Sequence, residues 1–253
     1  MAIESYTIKY NDARKVMEIE DSRDLNALIE NNDLQFDDLQ NKQLPSKGKI
    51  VLLTRHNADV IEKLIANDDD YFPFSQLLFN CFGLDKVKNN TDKALLAVAR
   101  EIDRDNSTNV WRYKERRGSF YKMIEYIADP NNEFFDKLQR GKTNLPDELN
   151  NCGPALKSLS SKMCKYLSEF AFGSDYYYIN DSFVRAVLLF YLDYYGILHP
   201  KLCSLAAVDQ LTYVELYGWL EKLHDARNKQ YHDQMTKSEL DHILWYCYKS
   251  FRL

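Results

Sequence analysis

The sequence is poor in several things, and each absence narrows what the chain can be. Glycine is scarce, eight in 253 residues, and neither GxGxxG nor a Walker-type GKS or GKT occurs. A phosphate cradle built from a glycine-rich loop is therefore not expected. No apolar run approaches the roughly 20 residues that a helix needs to cross a bilayer. The longest near the middle, Ala186 to Leu192, stops at Asp193. Met1 to Tyr10 carries Glu4 and Lys9 in place of an apolar core, so no secretory signal is expected there. The cysteines (Cys81, Cys152, Cys164, Cys203 and Cys247) are odd in number and widely spaced, with no CxxC or Cys/His zinc spacing. That usage fits reduced core thiols and a cytoplasmic location better than a disulfide scaffold. His56, His199, His224 and His242 form no set with ligand spacing, and neither a metal nor a cofactor is expected.

What is present points to a packed domain. Apolar residues make up 45% of the chain, enough to bury a core. A net charge of −5 argues against a protein that coats nucleic acid broadly. The average hides a gradient. Residues 1–40 hold four Lys/Arg against ten Asp/Glu, whereas residues 111–165 hold eleven against seven. The basic stretch peaks at Trp111-Arg-Tyr-Lys-Glu-Arg-Arg117. Arg112, Lys114, Arg116 and Arg117, with Lys122 on the next turn, suit phosphates, and Trp111 and Tyr113 between them add stacking surfaces. A solvated helix face is the competing reading.

The N-terminal part reads as mixed α/β. Ser5–Tyr10 and Lys15–Glu20 are β-rich and flank the turn pair Asn11-Asp12, a hairpin pattern. A short helix is predicted near Asp24–Ile29, a strand over Lys49–Thr54 and a helix over Asn57–Ala66. Asn67–Asp70 is a solvated break. From Phe72 onward the spacing is helical: Phe74–Phe82, Thr91–Arg104, Arg112–Ile127, Asn132–Arg140, Ala155–Phe172, Asp181–Tyr195, Asp209–Leu211 into Tyr213–Asn228, and Thr236–Ser250. Thr236 with Glu239 three residues on has the form of a capping box. The expected fold class is mainly α, with a small N-terminal α/β lobe over residues 1–70 and a helical body over 71–253.

Two constellations carry chemistry. The first lies between Gly153 and Val184. Lys162 stands near the start of a helix, where an amine opposes the macrodipole and can serve as a nucleophile. Asp181 opens the next helix nineteen residues later, as an N-cap or as a carboxylate that stabilises a cation. Ser161-Lys162, the aromatic-rich helix after it and Tyr178-Ile-Asn-Asp-Ser-Phe-Val184 resemble the helix-hairpin-helix DNA glycosylases of the 8-oxoguanine glycosylase fold, in particular a bacterial branch. Glu239-Leu-Asp-His-Ile-Leu-Trp-Tyr246 looks like the ending of that branch. The resemblance covers roughly residues 150–250, and Lys157-Ser-Leu-Ser-Ser161 stands where the family has a glycine hairpin.

That resemblance implies a helix-hairpin-helix body and excision of a modified base flipped out of double-stranded DNA. Some members act in phage defence on bulky bases such as glucosylated hydroxymethylcytosine. Asp181 would stabilise positive charge developing on the sugar and, if water attacks, orient that water; in a lyase-competent enzyme Lys162 would attack C1′. Lys157, Ser160 and Ser161 would join the basic segment in holding DNA. Tyr176, Tyr177 and Tyr178 would wedge or stack in the base pocket, or simply pack a loop. A monomer with DNA as its partner, away from membranes, is the corresponding expectation.

The second constellation is Arg227-Asn-Lys-Gln-Tyr-His232, which is similar to the Arg-Asn-x-x-x-His pattern of HEPN ribonucleases. In those, the Arg and His act near a dimer axis and cleave RNA by acid–base work. The pattern is short. A DNA-binding module without catalysis is the third alternative.

Overall fold

The computed structural model describes residues 8–11, 16–19, 23–38, 49–67, 73–106, 108, 110–200, 202 and 204–248, with side chains from residue 25 on. Several expectations fall outside them: the outer ends of the predicted hairpin and part of its turn, residues 68–70 of the solvated break, Cys203, and Lys249 and Ser250. The fold is mainly helical, with thirteen α-helices and four short strands among the described residues. The chain divides into two units. One comprises Asp68–Asn180 and Thr212–Tyr217, here the middle unit. The other comprises Met1–Asn67, Asp181–Leu211 and Gly218–Leu253, here the terminal unit.

The middle unit contains α3 (Phe74–Phe82), α4 (Leu84–Lys88), α5 (Ala94–Asp105), α6 (Arg117–Ala128), α7 (Phe134–Gln139), α8 (Leu145–Asn150) and α9 (Lys157–Phe172). Its core follows from helical spacing. Leu95, Val98, Ala99 and Ile102 on α5 recur at i, i+3, i+4 and i+7, as do Phe120, Met123, Ile124 and Ile127 on α6. Leu159, Met163, Cys164 and Leu167 complete the cluster from α9. Each larger apolar side chain buried this way contributes about 1.5–3 kcal/mol. Glu148 of α8 gathers three donors: the Tyr126 hydroxyl at 2.5 Å, Lys137 Nζ at 2.8 Å and Asn144 Nδ2 at 2.7 Å. Burial alone would raise its pKa. The hydrogen bonds from Lys137 and Tyr126 outweigh burial and hold the carboxyl below its ordinary value.

In the terminal unit, β1 (Ile8–Asn11) and β2 (Val16–Ile19) pair antiparallel with Ile8 opposite Ile19. β3 (Phe36–Asp38) and β4 (Lys49–Val51) form a second antiparallel pair, Phe36 opposite Val51. Helices α1 (Arg23–Asn32), α2 (Arg55–Ala66), α10 (Ser182–Tyr194), α11 (Leu205–Asp209) and α13 (Lys237–Tyr246) join them. The helix α12 (Tyr213–Tyr231) gives this unit its residues from Gly218 onward. The apolar run noted in the sequence lies in α10, where every residue from Val184 to Asp193 is buried. A helix apolar all round is an interior helix. Its Tyr191 hydroxyl donates to Val51 O at 2.7 Å, and Val51 N donates to the Tyr248 hydroxyl at 3.2 Å. Asn57, fully buried at the start of α2, accepts from Gln35 N and donates to Gln35 O and Leu52 O. The N-terminal segment is thus stitched to helices from the far end of the chain.

Some local expectations change. Arg112–Arg116 is a turn, and the helix there starts at Arg117. Asp92 and Lys93 sit at positive φ, so Thr91–Lys93 is a 3₁₀ turn and the regular helix begins at Ala94. The short elements α4, α8 and β3 were not expected. Of the described cysteines, Cys164 and Cys247 are buried and Cys152 is partly buried. Cys81 is exposed, because Ser75 and Phe79 make the buried face of α3. Among the described residues no helix is long and apolar enough to cross a membrane.

Candidate functional site

The end of α12 concentrates polar side chains of the terminal unit. Arg227 is 0% exposed. Its Nε donates to Leu53 O at 2.6 Å, and its Nη1 donates to Asn228 Oδ1 at 2.9 Å and pairs with the Asp233 carboxylate. The Tyr231 ring lies 5.3 Å from the guanidinium carbon. Nη2 has no hydrogen-bond partner among the described residues. One buried guanidinium therefore ties the helix to the turn that follows it.

Two further α12 side chains hold the same turn. Asn228 Oδ1 accepts from Met235 N at 3.2 Å, and His224 Nε2 donates to Met235 O at 2.5 Å. His232, between the tied residues Arg227 and Asp233, is exposed and sits at φ 55°. Left-handed backbone is uncommon outside glycine, though histidine adopts it more readily than most. His232 is one of seven non-glycine residues at positive φ among the described residues, and it directly follows α12, where a left-handed residue commonly ends a helix. The sequence singled out Arg227 and His232. It missed His224, Asn228 and Asp233, although the i, i+4 spacing of His224 and Asn228 puts both on one helix face.

Lys162 and Asp181 fall in different units. Lys162 is the sixth residue of α9, not its first, and is 4% exposed. Its Nζ donates to Asn106 O at 3.2 Å. Asp181 is 6% exposed and is the N-cap of α10, its Oδ1 accepting from Val184 N at 2.9 Å. Ser161 is buried, its hydroxyl donating to Ser158 O and accepting from Asn180 N. Ser160 is buried too, and Lys157 is exposed at the first position of α9.

Tyr177 and Tyr178 are core residues. The Tyr177 hydroxyl donates to Lys142 O, while Tyr178 exchanges backbone hydrogen bonds with the Tyr213 hydroxyl. Tyr176 is exposed and packs over Gly141, where a Cβ would come within 2.9 Å of its ring. Of the three tyrosines, only Tyr176 offers a ring to an incoming base.

The basic segment is organised by a residue the sequence reading passed over. Asp103, buried near the end of α5, accepts from Thr108 Oγ1 at 2.6 Å, Val110 N at 2.9 Å and Trp111 N at 3.0 Å. Those amides cannot then join a helix, which is why Arg112–Arg116 is a turn. Arg112, Lys114 and Arg116 are exposed, and Arg117 Nε donates to Trp111 O at 3.1 Å. The guanidinium carbons of Arg100 and Arg117 lie 3.6 and 4.9 Å from the Trp111 ring centroid. Trp111 is held by those cations, so it is a support for the turn more than a free stacking surface.

Among the described residues, no group of three or more His, Cys, Asp and Glu side chains could hold a metal ion. Comparison with protein-family models, curated proteins and solved structures gives no match.

Proposed function

We propose that the chain cleaves RNA, with His232 as the acid–base group and Arg227 fixing the turn that presents it. One observation carries this reading: both motif residues lie in one unit, the arginine buried and tied to Asp233, and the histidine, next to Asp233 in the chain, exposed. The chemistry asks for little else. His232 takes the proton of a ribose 2′-hydroxyl, and that oxygen attacks the adjacent phosphorus. The 5′-oxygen of the next nucleotide leaves and takes up a proton. The products are a 2′,3′-cyclic phosphate and a 5′-hydroxyl. Arg227, as it sits, is a positioning residue, because all but one of its guanidinium nitrogens are engaged within the fold.

The test is incubation of labelled single-stranded RNA with the full chain. Cleavage that stops on His232→Ala, and at any nucleotide lacking its 2′-hydroxyl, supports the reading. Undiminished cleavage by His232→Ala, or an RNA left whole by the native chain, defeats it.

A second reading, base excision from DNA, keeps one observation in its favour. Lys162 and Asp181 are both buried ionisable groups, a common feature of catalytic sites. Their engagements count against it: an amine donating to a carbonyl is not poised to attack, and Asp181 already caps a helix. In this reading Asp181→Asn keeps the cap and loses base release from modified DNA. Unchanged release removes Asp181 from the chemistry.

A further inference from the structure

The turn between α5 and α6 carries an excess of positive charge, Arg112, Lys114 and Arg116 against the single carboxylate of Glu115. Among the described residues Arg112, Lys114, Arg116 and Lys122 form no ion pair, and all four are exposed. The turn's backbone is not loose. Asp103 fixes Val110 and Trp111 from below, Arg117 closes back on Trp111 O, and the Arg116 guanidinium lies 5.1 Å from the Tyr113 ring. Tyr113 is 46% exposed and Tyr121, on the first turns of α6, 42%. Four cations and two exposed aromatic rings, Tyr113 with the Arg116 guanidinium against it, are thus presented by a braced turn and the helix after it.

We propose that this turn is a docking surface for single-stranded RNA, phosphates meeting Arg112, Lys114, Arg116 and Lys122 while bases stack on Tyr113 and Tyr121. Charge complementarity argues for a polyanion. The exposed tyrosine rings narrow the polyanion to one with accessible bases, since a duplex hides its base faces in the stack and an acidic peptide has none. The bracing lowers the ordering cost of binding. The choice of RNA over DNA rests on the reading of Arg227 and His232; the preference for a single strand rests on the turn alone.

The experiment is fluorescence anisotropy of a labelled oligoribonucleotide of about twelve residues, a length that spans one such surface. It is 2′-O-methylated throughout, so that it cannot be cut by attack of its own 2′-oxygens. The full chain is titrated at several salt concentrations. With four phosphates neutralised, the logarithm of affinity falls against the logarithm of salt with a slope of about −3. Removing three cations in Arg112→Gln/Lys114→Gln/Arg116→Gln weakens binding about tenfold or more and flattens the slope by about 2. Tyr113→Ala and Tyr121→Ala weaken binding and leave the slope unchanged, because they remove stacking and no charge.

An unaltered slope and affinity in the triple variant overturn the proposal. So does equal affinity for a duplex of the same length, or no binding by the native chain. Cleavage of unmodified RNA is scored separately. Binding without cleavage defeats the His232 reading and leaves the docking surface standing; cleavage with unaltered binding by the triple variant does the reverse.

Discussion

Two turns, one in each unit, are built on the same plan and finished differently. Each follows a long helix and is held by a buried charged side chain from that helix's last two turns. In the middle unit Asp103 takes hydrogen bonds from Thr108, Val110 and Trp111, so both carboxylate oxygens are occupied. In the terminal unit Arg227 gives hydrogen bonds to Leu53, Asn228 and Asp233 and still has a buried nitrogen without a partner among the described residues. A satisfied group of this kind is a structural device. The first turn has a buried donor of its own without a partner among the described residues, Trp111 Nε1, so what separates the two turns is the side chains they present. The first turn presents exposed cations and the second an exposed histidine.

The largest effect is expected from cutting the second turn loose. Arg227→Ala removes the guanidinium from a fully buried site and leaves Leu53 O and Asp233 without their donor. The cost is lower than the about 3–5 kcal/mol of a fully buried pair, because the Asp233 side chain is 36% exposed and water reaches the charge left behind. Denaturant melts should register that loss, with RNA cleavage falling in the folded fraction as well. Arg227→Lys keeps a charge but not the fork that reaches three acceptors, so it should recover only part of the stability. Full stability in Arg227→Lys would mean that the fork is not what holds the turn.

Asp103→Asn comes next. The amide keeps one acceptor oxygen and turns the other into a donor facing the backbone N–H of Val110 or Trp111. The expected cost is about 2 kcal/mol, within the range for hydrogen bonds to a charged group. Affinity for single-stranded RNA should fall with it, because the basic turn loses its brace. If affinity survives while stability drops, the bracing of the turn is irrelevant to binding.

The smallest effect concerns Glu148, a second saturated acceptor in the middle unit. Its folded pKa is depressed, so its stabilisation is present at neutral pH and is lost as pH falls through the folded value, below the ordinary 4.5. Glu148→Gln should lower stability at pH 7 by about 1 kcal/mol. It should also flatten the acid side of the stability–pH curve. An acid side as steep as that of the native chain would assign the pH dependence to other carboxylates.

Much of the helical fold is legible in the sequence, because apolar spacing and capping residues act locally. Phe74–Phe82 and the Thr236/Glu239 capping box of α13 are found where the residues put them. What escapes is set by distant partners. The basic segment has helical composition, yet its first amides go to Asp103 eight residues back. Pro146 lies outside every helix that the spacing predicts, yet it stands in the first turn of α8, where a missing N–H costs nothing. β3 is three residues long and is defined by its pairing with β4, not by its own pattern.

The candidate site follows the same rule. The short Arg227–His232 motif is visible in sequence. The contacts that give it meaning, from Leu53 and Asp233, are not. Lys162 shows the converse: its position near a helix start suggests an available amine, and only the fold reveals that the amine is buried against Asn106 O.

The central claim stands or falls on the ends of a cut RNA. The native chain should convert single-stranded RNA to fragments ending in 2′,3′-cyclic phosphate and 5′-hydroxyl, identified by mass spectrometry, and His232→Ala, still folded by denaturant melt, should produce none. Fragments from His232→Ala at the native rate, or native fragments ending in 3′-hydroxyl and 5′-phosphate, would contradict the account.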